Sequence, residues 1–387
     1  METKQKALLK TAIITMSFVQ LGTNGIAPIL AQIQAAFPEA SAANVQFLMT
    51  FPSIFCLIFT MLCAFLADHL PKKTLAMSGL AIVAAAGVLA CMFHGSLKIL
   101  FLWAAVLGIG IGMVAPIAPA LVNESFKGGE RQTMLGWQNA ASSAGSMIMT
   151  FLGGILAVAG WRFGYLVYLI GIPGIIFAMI GVKGGNRMNG ADSGQQERGP
   201  FRFVVWKEMI ITFVLLIVFS AVPANLAMLV AERSLGGTTV SGAMSTLFLC
   251  GGLICGIFFG KIAKALKGRT DLFGALMLAL GAFLIGISSN VGVIYISCLI
   301  AGSSISLVMP TCMSAAGRLK GYETLNSSLL LGTSFVGVFV TPVLTSLTAR
   351  ITGSESVTYR FFMVTIVALI LAVLTVVLKR EKRNKAG

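Results

Sequence analysis

The chain has 387 residues, 57% hydrophobic and only 11% charged, with a mean hydropathy of +0.92. Soluble domains carry about 25% charged residues, so too little polar surface is present to cover a water-soluble globule. The net charge of +15 matches the basic loops that membrane topology demands and calls for no nucleic acid.

Apolar runs of roughly twenty residues, each able to cross about 30 Å of hydrocarbon as a helix, recur along the chain. The short alternating segments of a barrel do not. Twelve spans are expected. The first, 8–35, follows Lys4, Lys6 and Lys10 like a signal peptide, but the run is long and has no clear cleavage site, so it reads as a span. It carries Gln20 and Asn24, four residues apart and therefore on one helix face near the midplane. Span two, 42–66, places Gln46 and Thr50 on a shared face. The polar stretch AFLADHLPKK, Ala64–Lys73, separates it from span three, 72–93. Span four, 98–122, contains Gly108, Gly110, Gly112, Pro116 and Pro119 and reads as a bending element. Span five, 130–158, aligns Gln138, Ser142 and Ser146, and span six is 162–182. The Gly-rich, charged stretch from Lys183 to Phe203 reads as a flexible linker. Spans seven to twelve follow at 206–231, 239–264, 271–289, 292–316, 324–349 and 357–378. In span seven, Asn225 follows Pro223, which frees a backbone carbonyl. The expected domains are a six-helix bundle over 1–182, a cytoplasmic linker over 183–205 and a second six-helix bundle over 206–387.

An even span count puts both termini on one side. Only Lys98, Arg162, Arg233, Arg350 and Arg360 fall on the opposite side, against the other 23 of the 28 Lys and Arg. The positive-inside rule then makes both termini cytoplasmic, in an integral membrane protein. The seven cysteines show no metal-site spacing and read as small packing residues.

Gly256–Lys264, GIFFGKIAK, follows the second helix of the second half as AFLADHLPKK follows that of the first. AFLADHLPKK resembles the signature G-x-L-a-D-r-x-G-r-K of the major facilitator superfamily. Asp68 matches the acid and Lys72 and Lys73 the closing basic pair, while Ala64 and Pro71 replace the glycines and His69 an arginine. Gly108, Gly110 and Gly112 fall where that family carries a glycine repeat. Glu130-Arg131 fits its loop before span five, and Gly153-Gly154 followed by Trp161-Arg162 is similar to its bacterial drug exporters. The resemblance implies an all-α membrane protein with twelve transmembrane helices in two pseudo-symmetric six-helix bundles. It also implies a cytoplasmic latch, in which Asp68 faces the start of span eleven near Glu323. Lys72, Lys73, Arg131, Gly260 and Lys261 join it as gating residues, with the lysines meeting anionic headgroups.

All 13 acids sit at span ends or in loops, and neither His69 nor His94 is near a midplane. Intramembrane charge is costly, so an uncharged central cavity is expected. The expected substrate-binding residues are Gln20, Asn24, Gln46, Thr50, Gln138, Ser142 and Asn225, with Met113, Phe219, Met309 and Phe335 as apolar walls. The competing reading of the buried amides is interhelical hydrogen bonding that glues the bundle, which is favoured for Asn123 and Asn326.

No H-E-x-x-H, Walker A or nucleophile elbow occurs in a suitable context. The chain therefore reads as no enzyme, with no cofactor and no metal. Transport runs downhill or is coupled to protons or another ion. The family's span-four arginine is replaced by Ala104, and its antiporter Gly-Pro by Met149-Thr150, which counts against proton antiport. Glu124, Glu130 and Glu232 are the rim candidates if protons are coupled. The expected function is a monomeric carrier, surrounded by lipid, that moves a small neutral or amphiphilic solute by alternating access, leaning to efflux. An uptake carrier for a neutral or zwitterionic metabolite is the alternative, and a non-transporting membrane sensor the alternative of another class.

Overall fold

The computed structural model describes residues 2–40, 42–182, 205–236, 238–316, 322–353 and 356–384. All but Val205 of the expected linker 183–205 lies outside them. Among the described residues the regular structure is entirely helical. The first span comprises α1 (Glu2–Ser17), a 3-10 segment (Gly22–Ile29) and α2 (Leu30–Ala36). The second is α3 (Ala42–Thr50) and α4 (Pro52–His69), the third α5 (Lys72–Met92), and the fourth α6 (Leu97–Val114) with α7 (Ile117–Ser125). The fifth is α8 (Gly128–Leu156), and the sixth a 3-10 segment (Trp161–Ile170) leading into α9 (Gly171–Gly181). The remaining six are α10 (Trp206–Glu232), α11 (Thr238–Ala265), α12 (Thr270–Ile287), α13 (Val291–Ala316), α14 (Glu323–Thr352) and α15 (Val357–Asn384).

Eleven of these twelve segments are continuous enough, long enough and apolar enough to cross a membrane. The first is interrupted, which corrects the expectation that Gln20 and Asn24 share one α-helical face. The cause is local. Thr15 and Ser17 turn their hydroxyls back onto carbonyls at Thr11 and Ile13, at 2.9 and 2.8 Å, a contact that bends helices. Gly22 and Gly25 follow, with poor helix propensity. Beyond Ser17 the chain tightens to bonds spanning three residues, such as Gln20 N to Ser17 O at 3.1 Å and Gly22 N to Val19 O at 3.0 Å.

The chain packs as two compact units. One comprises Met1–Ser125, Ala141–Phe203 and Ala316–Phe335, and the other Phe126–Ala140, Val204–Ala315 and Val336–Gly387. In the first unit, the expected bending element of span four breaks at Ala115–Pro116. Its glycines serve close packing. A Cβ at Gly108 or Gly112 would lie 2.3 or 2.7 Å from carbonyl oxygens of Pro52 or Cys56 on α4, and one at Gly110 would lie 2.7 Å from that of Gly79 on α5. Helix α6 is thus wedged between two neighbours at backbone contact, the arrangement small residues permit in lipid. Thr60 adds a hydrogen bond to Gly112 O at 3.1 Å.

In the second unit, α12 and α15 pack through Leu278, Ala282, Ile285, Phe361, Val364 and Ala368, all at most 2% exposed. Basic side chains finish this unit by meeting helix carbonyls. Lys207 donates to Leu378 O, inside α15, at 2.9 Å. At the C-terminus of α12 the last carbonyls lack partners and the dipole favours a cation. Arg233 donates to Ile285 O and Thr358 Oγ1 at 3.0 and 2.8 Å, and also meets the carbonyls of Gly286 and Ser288.

Candidate substrate and gating sites

In the first unit, the interrupted stretch of the first span docks on α8 at Gly145. A Cβ there would sit 2.2 Å from Phe18 O, so only glycine lets the two backbones meet. On either side of this contact the expected residues form a polar ladder. Ser142 donates to Gln20 Oε1 at 2.6 Å, and the Gln20 amide donates to Ala115 O at 3.4 Å. One turn along α8, Asn24 Nδ2 donates to Ser146 Oγ at 3.2 Å. A further turn on, Thr150 Oγ1 lies 2.9 Å from Ser146 O and 3.4 Å from Asn24 O. Tyr168, buried in the second 3-10 segment, donates to Gly22 O at 3.0 Å. Ser142 and Ser146 are buried, and Gln20 and Asn24 are half-buried. The structure therefore brings Gln20, Asn24 and Ser142 together. Met113 is buried, Phe335 is half-buried and Thr50 is exposed, bonding its own helix at Phe47 O. The side chain of Gln46 lies outside those described.

In the second unit, Asn225 is buried and donates to Ala221 O at 2.7 Å, while its Oδ1 accepts from Arg360 Nη1 at 3.2 Å. Arg360, on the first turn of α15, also reaches Met228 Sδ at 3.2 Å. The amide expected to look onto uncharged surroundings is thus held by a guanidinium reaching in from the rim. The Phe219 and Phe248 rings lie with centroids 4.6 Å apart, tilted by 40°. Met309 is buried, as is Gln138. Above Asn225, Glu232 accepts from Ser356 Oγ at 2.6 Å and Val357 N at 2.7 Å, capping α15. These bonds hold its carboxyl below its usual value.

The expected gating residues divide. Lys72 was expected at lipid headgroups but is 1% exposed, because it opens α5 and pairs with Glu124 at the end of α7. Lys73, half-buried, donates to Met179 O near the end of α9. The buried Lys72 ammonium needs a partner, and Glu124 supplies it. Gly260 lies against Thr133, whose Oγ1 would be 2.1 Å from an added Cβ. Lys261 stands 5.9 Å over the Phe258 ring, and Arg131 is half-buried at the start of α8. The side chain of Asp68 lies outside those described.

Sequence reasoning missed Gly145, Tyr168 and Arg360. Gly145 carries a signal, since it lies between the two ladder serines. Arg360 was read as a topological charge because residues near a span end look alike in sequence.

Among the described residues the chain is a bundle of apolar helices whose interrupted first span sets amides and hydroxyls against α8. The Major Facilitator Superfamily profile matches residues 12–322, and the chain belongs to that family. A stretch of 140 residues, 36% of this chain, is 29% identical to the multidrug transporter protein MdtP of Bacillus subtilis (strain 168), and spans 24% of that relative's length. The fold resembles the proton:xylose symporter XylE bound to 6-bromo-6-deoxy-D-glucose, with TM-score 0.77 and 13% identity over 96% of this chain and 95% of that one. It also resembles the human organic anion transporter MFSD10, with TM-score 0.74 and 14% identity over 95% and 97%. A bacterial homologue of the iron transporter ferroportin gives 0.71 and 19% over 96% and 98%. These structures share the fold, and the protein is a transporter rather than an enzyme.

Proposed function

We propose that the protein is a secondary carrier that moves a small neutral or amphiphilic solute by alternating access, in the direction of efflux. The observation that carries this reading is the ladder of Gln20, Asn24, Ser142 and Ser146. It offers amide and hydroxyl groups and no charge. A strongly anionic substrate would call for guanidinium groups there, and a multivalent cation for carboxylates. The partial likeness to a multidrug transporter favours lipophilic cargo and the outward direction. Uptake of a neutral or zwitterionic metabolite uses the same chemistry and remains the second reading.

We place the protein in a bacterial plasma membrane as a monomer, with both termini cytoplasmic. Residues 1–182 and 206–387 form its two bundles, and Asp68, Lys72, Lys73, Arg131, Gly260 and Lys261 form the latch between states. In this reading the buried Lys72–Glu124 pair fixes the base of the latch, rather than gripping lipid.

The test is transport by the purified protein in proteoliposomes, over a compound panel. Gln20→Ala and Asn24→Ala should each raise KM about tenfold, the loss of one hydrogen bond to a polar substrate, with turnover kept within about threefold. Unaltered KM in both would assign these amides to bundle packing alone.

A further inference from the structure

Arg360 carries more donors than its surroundings use. Its Nη1 donates to Asn225 Oδ1 and meets Met228 Sδ, both at 3.2 Å. Its Nε is buried without a partner, and its Nη2 bonds nothing among the described residues. The side chain is half-buried, on the first turn of α15. Among the described residues no carboxylate pairs with it. Glu232 feels its charge, together with that of Arg233, but gives its hydrogen bonds to Ser356 Oγ and Val357 N. Two guanidinium groups thus share one carboxylate. Arg233 is already satisfied by carbonyls and the Thr358 hydroxyl, so the spare positive charge falls on Arg360. A partly desolvated cation with only neutral partners lacks the counter-charge that offsets its burial. An unbonded donor shielded from water adds to that cost.

We propose that Arg360 binds the carboxylate of an amphiphilic solute, with Nε and Nη2 donating to its two oxygens. Adjacent N–H groups on one edge of a guanidinium match a carboxylate in this way. Asn225 holds the opposite side of the group through Nη1, and so positions it without competing for that edge. One oxygen meets Nη2, and the other reaches Nε by a small turn of the Arg360 side chain. Met228, 46% exposed, offers an adaptable apolar surface to the hydrocarbon part of the solute. One spare guanidinium charge suits a monocarboxylate rather than a polyanion. This narrowing of the cargo rests on the carrier reading given above, yet its test needs no transport.

The purified full-length protein is titrated with sodium hexanoate, and separately with hexanamide in sodium chloride of matched ionic strength, while thermal unfolding is followed. A compound that binds only the folded state raises Tm with its occupancy. Hexanoate should give a saturating rise that hexanamide does not. Arg360→Gln should move the half-saturating concentration up about tenfold or more, the effect of losing a charge-assisted hydrogen bond. Arg360→Lys, which keeps the charge but not the fork, should move it up by a smaller factor, and serves if Arg360→Gln fails to fold. Superimposable hexanoate and hexanamide curves in the wild type overturn the proposal, as do unshifted midpoints in every Arg360 variant that folds. Hexanoate binding weakened in the Arg360 variants, alongside unaltered KM in Gln20→Ala and Asn24→Ala, would sink the ladder as a substrate site and leave the carboxylate site standing. Raised KM in those two variants with no hexanoate effect would do the reverse.

Discussion

At the scale of single residues, the ladder depends on one glycine as much as on its amides. Gly145 is where the first span and α8 meet, with Phe18 O 2.2 Å and Phe18 Cα 2.5 Å from an added Cβ. Gly145→Ala must push the interrupted stretch away, an overpacking that costs about 1–3 kcal/mol. Its Tm should fall by several degrees. Gly242, also helical, has nothing within 4 Å of an added Cβ. Gly242→Ala should leave Tm unchanged or raise it, because alanine is the better helix former. Equal behaviour of the two variants would contradict the close contact. The amides Gln20 and Asn24 were legible in the sequence because an amide within an apolar run is costly without a partner. Their partner α8 was only half legible. Ser142 and Ser146 announced a polar face, but nothing in the spacing said that face would meet the first span.

At the scale of elements, helix ends carry the charges. Arg233 gathers the last carbonyls of α12 and the Thr358 hydroxyl, and its neighbour Glu232 caps α15. Arg233→Ala should lower stability by about 1–3 kcal/mol, the range for charge-assisted bonds at a helix terminus. Arg233→Lys should recover part of that loss, since an ammonium keeps the charge but not the fork. Thermal unfolding of the three forms checks this ordering. Glu232 gives a pH dependence of known sign. Its carboxyl is held below its usual value, first by the Ser356 hydroxyl and then by the Val357 N–H. Its contribution is therefore full above the ordinary carboxylate range and lost as pH falls through the lowered value. Glu232 lies at the surface, so the effect is small. The Tm advantage of wild type over Glu232→Gln should be present at neutral pH and vanish in acid. A constant difference would remove the carboxylate from the account. Span existence was read correctly from hydropathy because eleven of the segments are long and apolar enough to cross a membrane. The interruption at Ser17 escaped, since apolarity does not distinguish an α-helix from a 3-10 segment. The hydroxyl back-bonding that bends the helix is a contact rather than a period.

At the scale of the whole molecule, the family is fixed by the profile over residues 12–322 and by folds shared over nearly the full chain. The degenerate motif at Asp68–Lys73 had pointed the same way from sequence. The burial of Lys72 was not legible, because a lysine beside a span reads equally as a headgroup contact or as a buried partner for Glu124. The proposed cargo follows from the uncharged ladder. Counterflow into proteoliposomes tests that proposal most directly. Vesicles are preloaded with an unlabelled compound, and entry of its labelled form is followed without an imposed gradient. The account predicts saturable, preload-accelerated exchange of neutral or weakly charged amphiphilic compounds, with KM raised in Gln20→Ala. Exchange confined to strongly anionic or multivalent cationic compounds would contradict it.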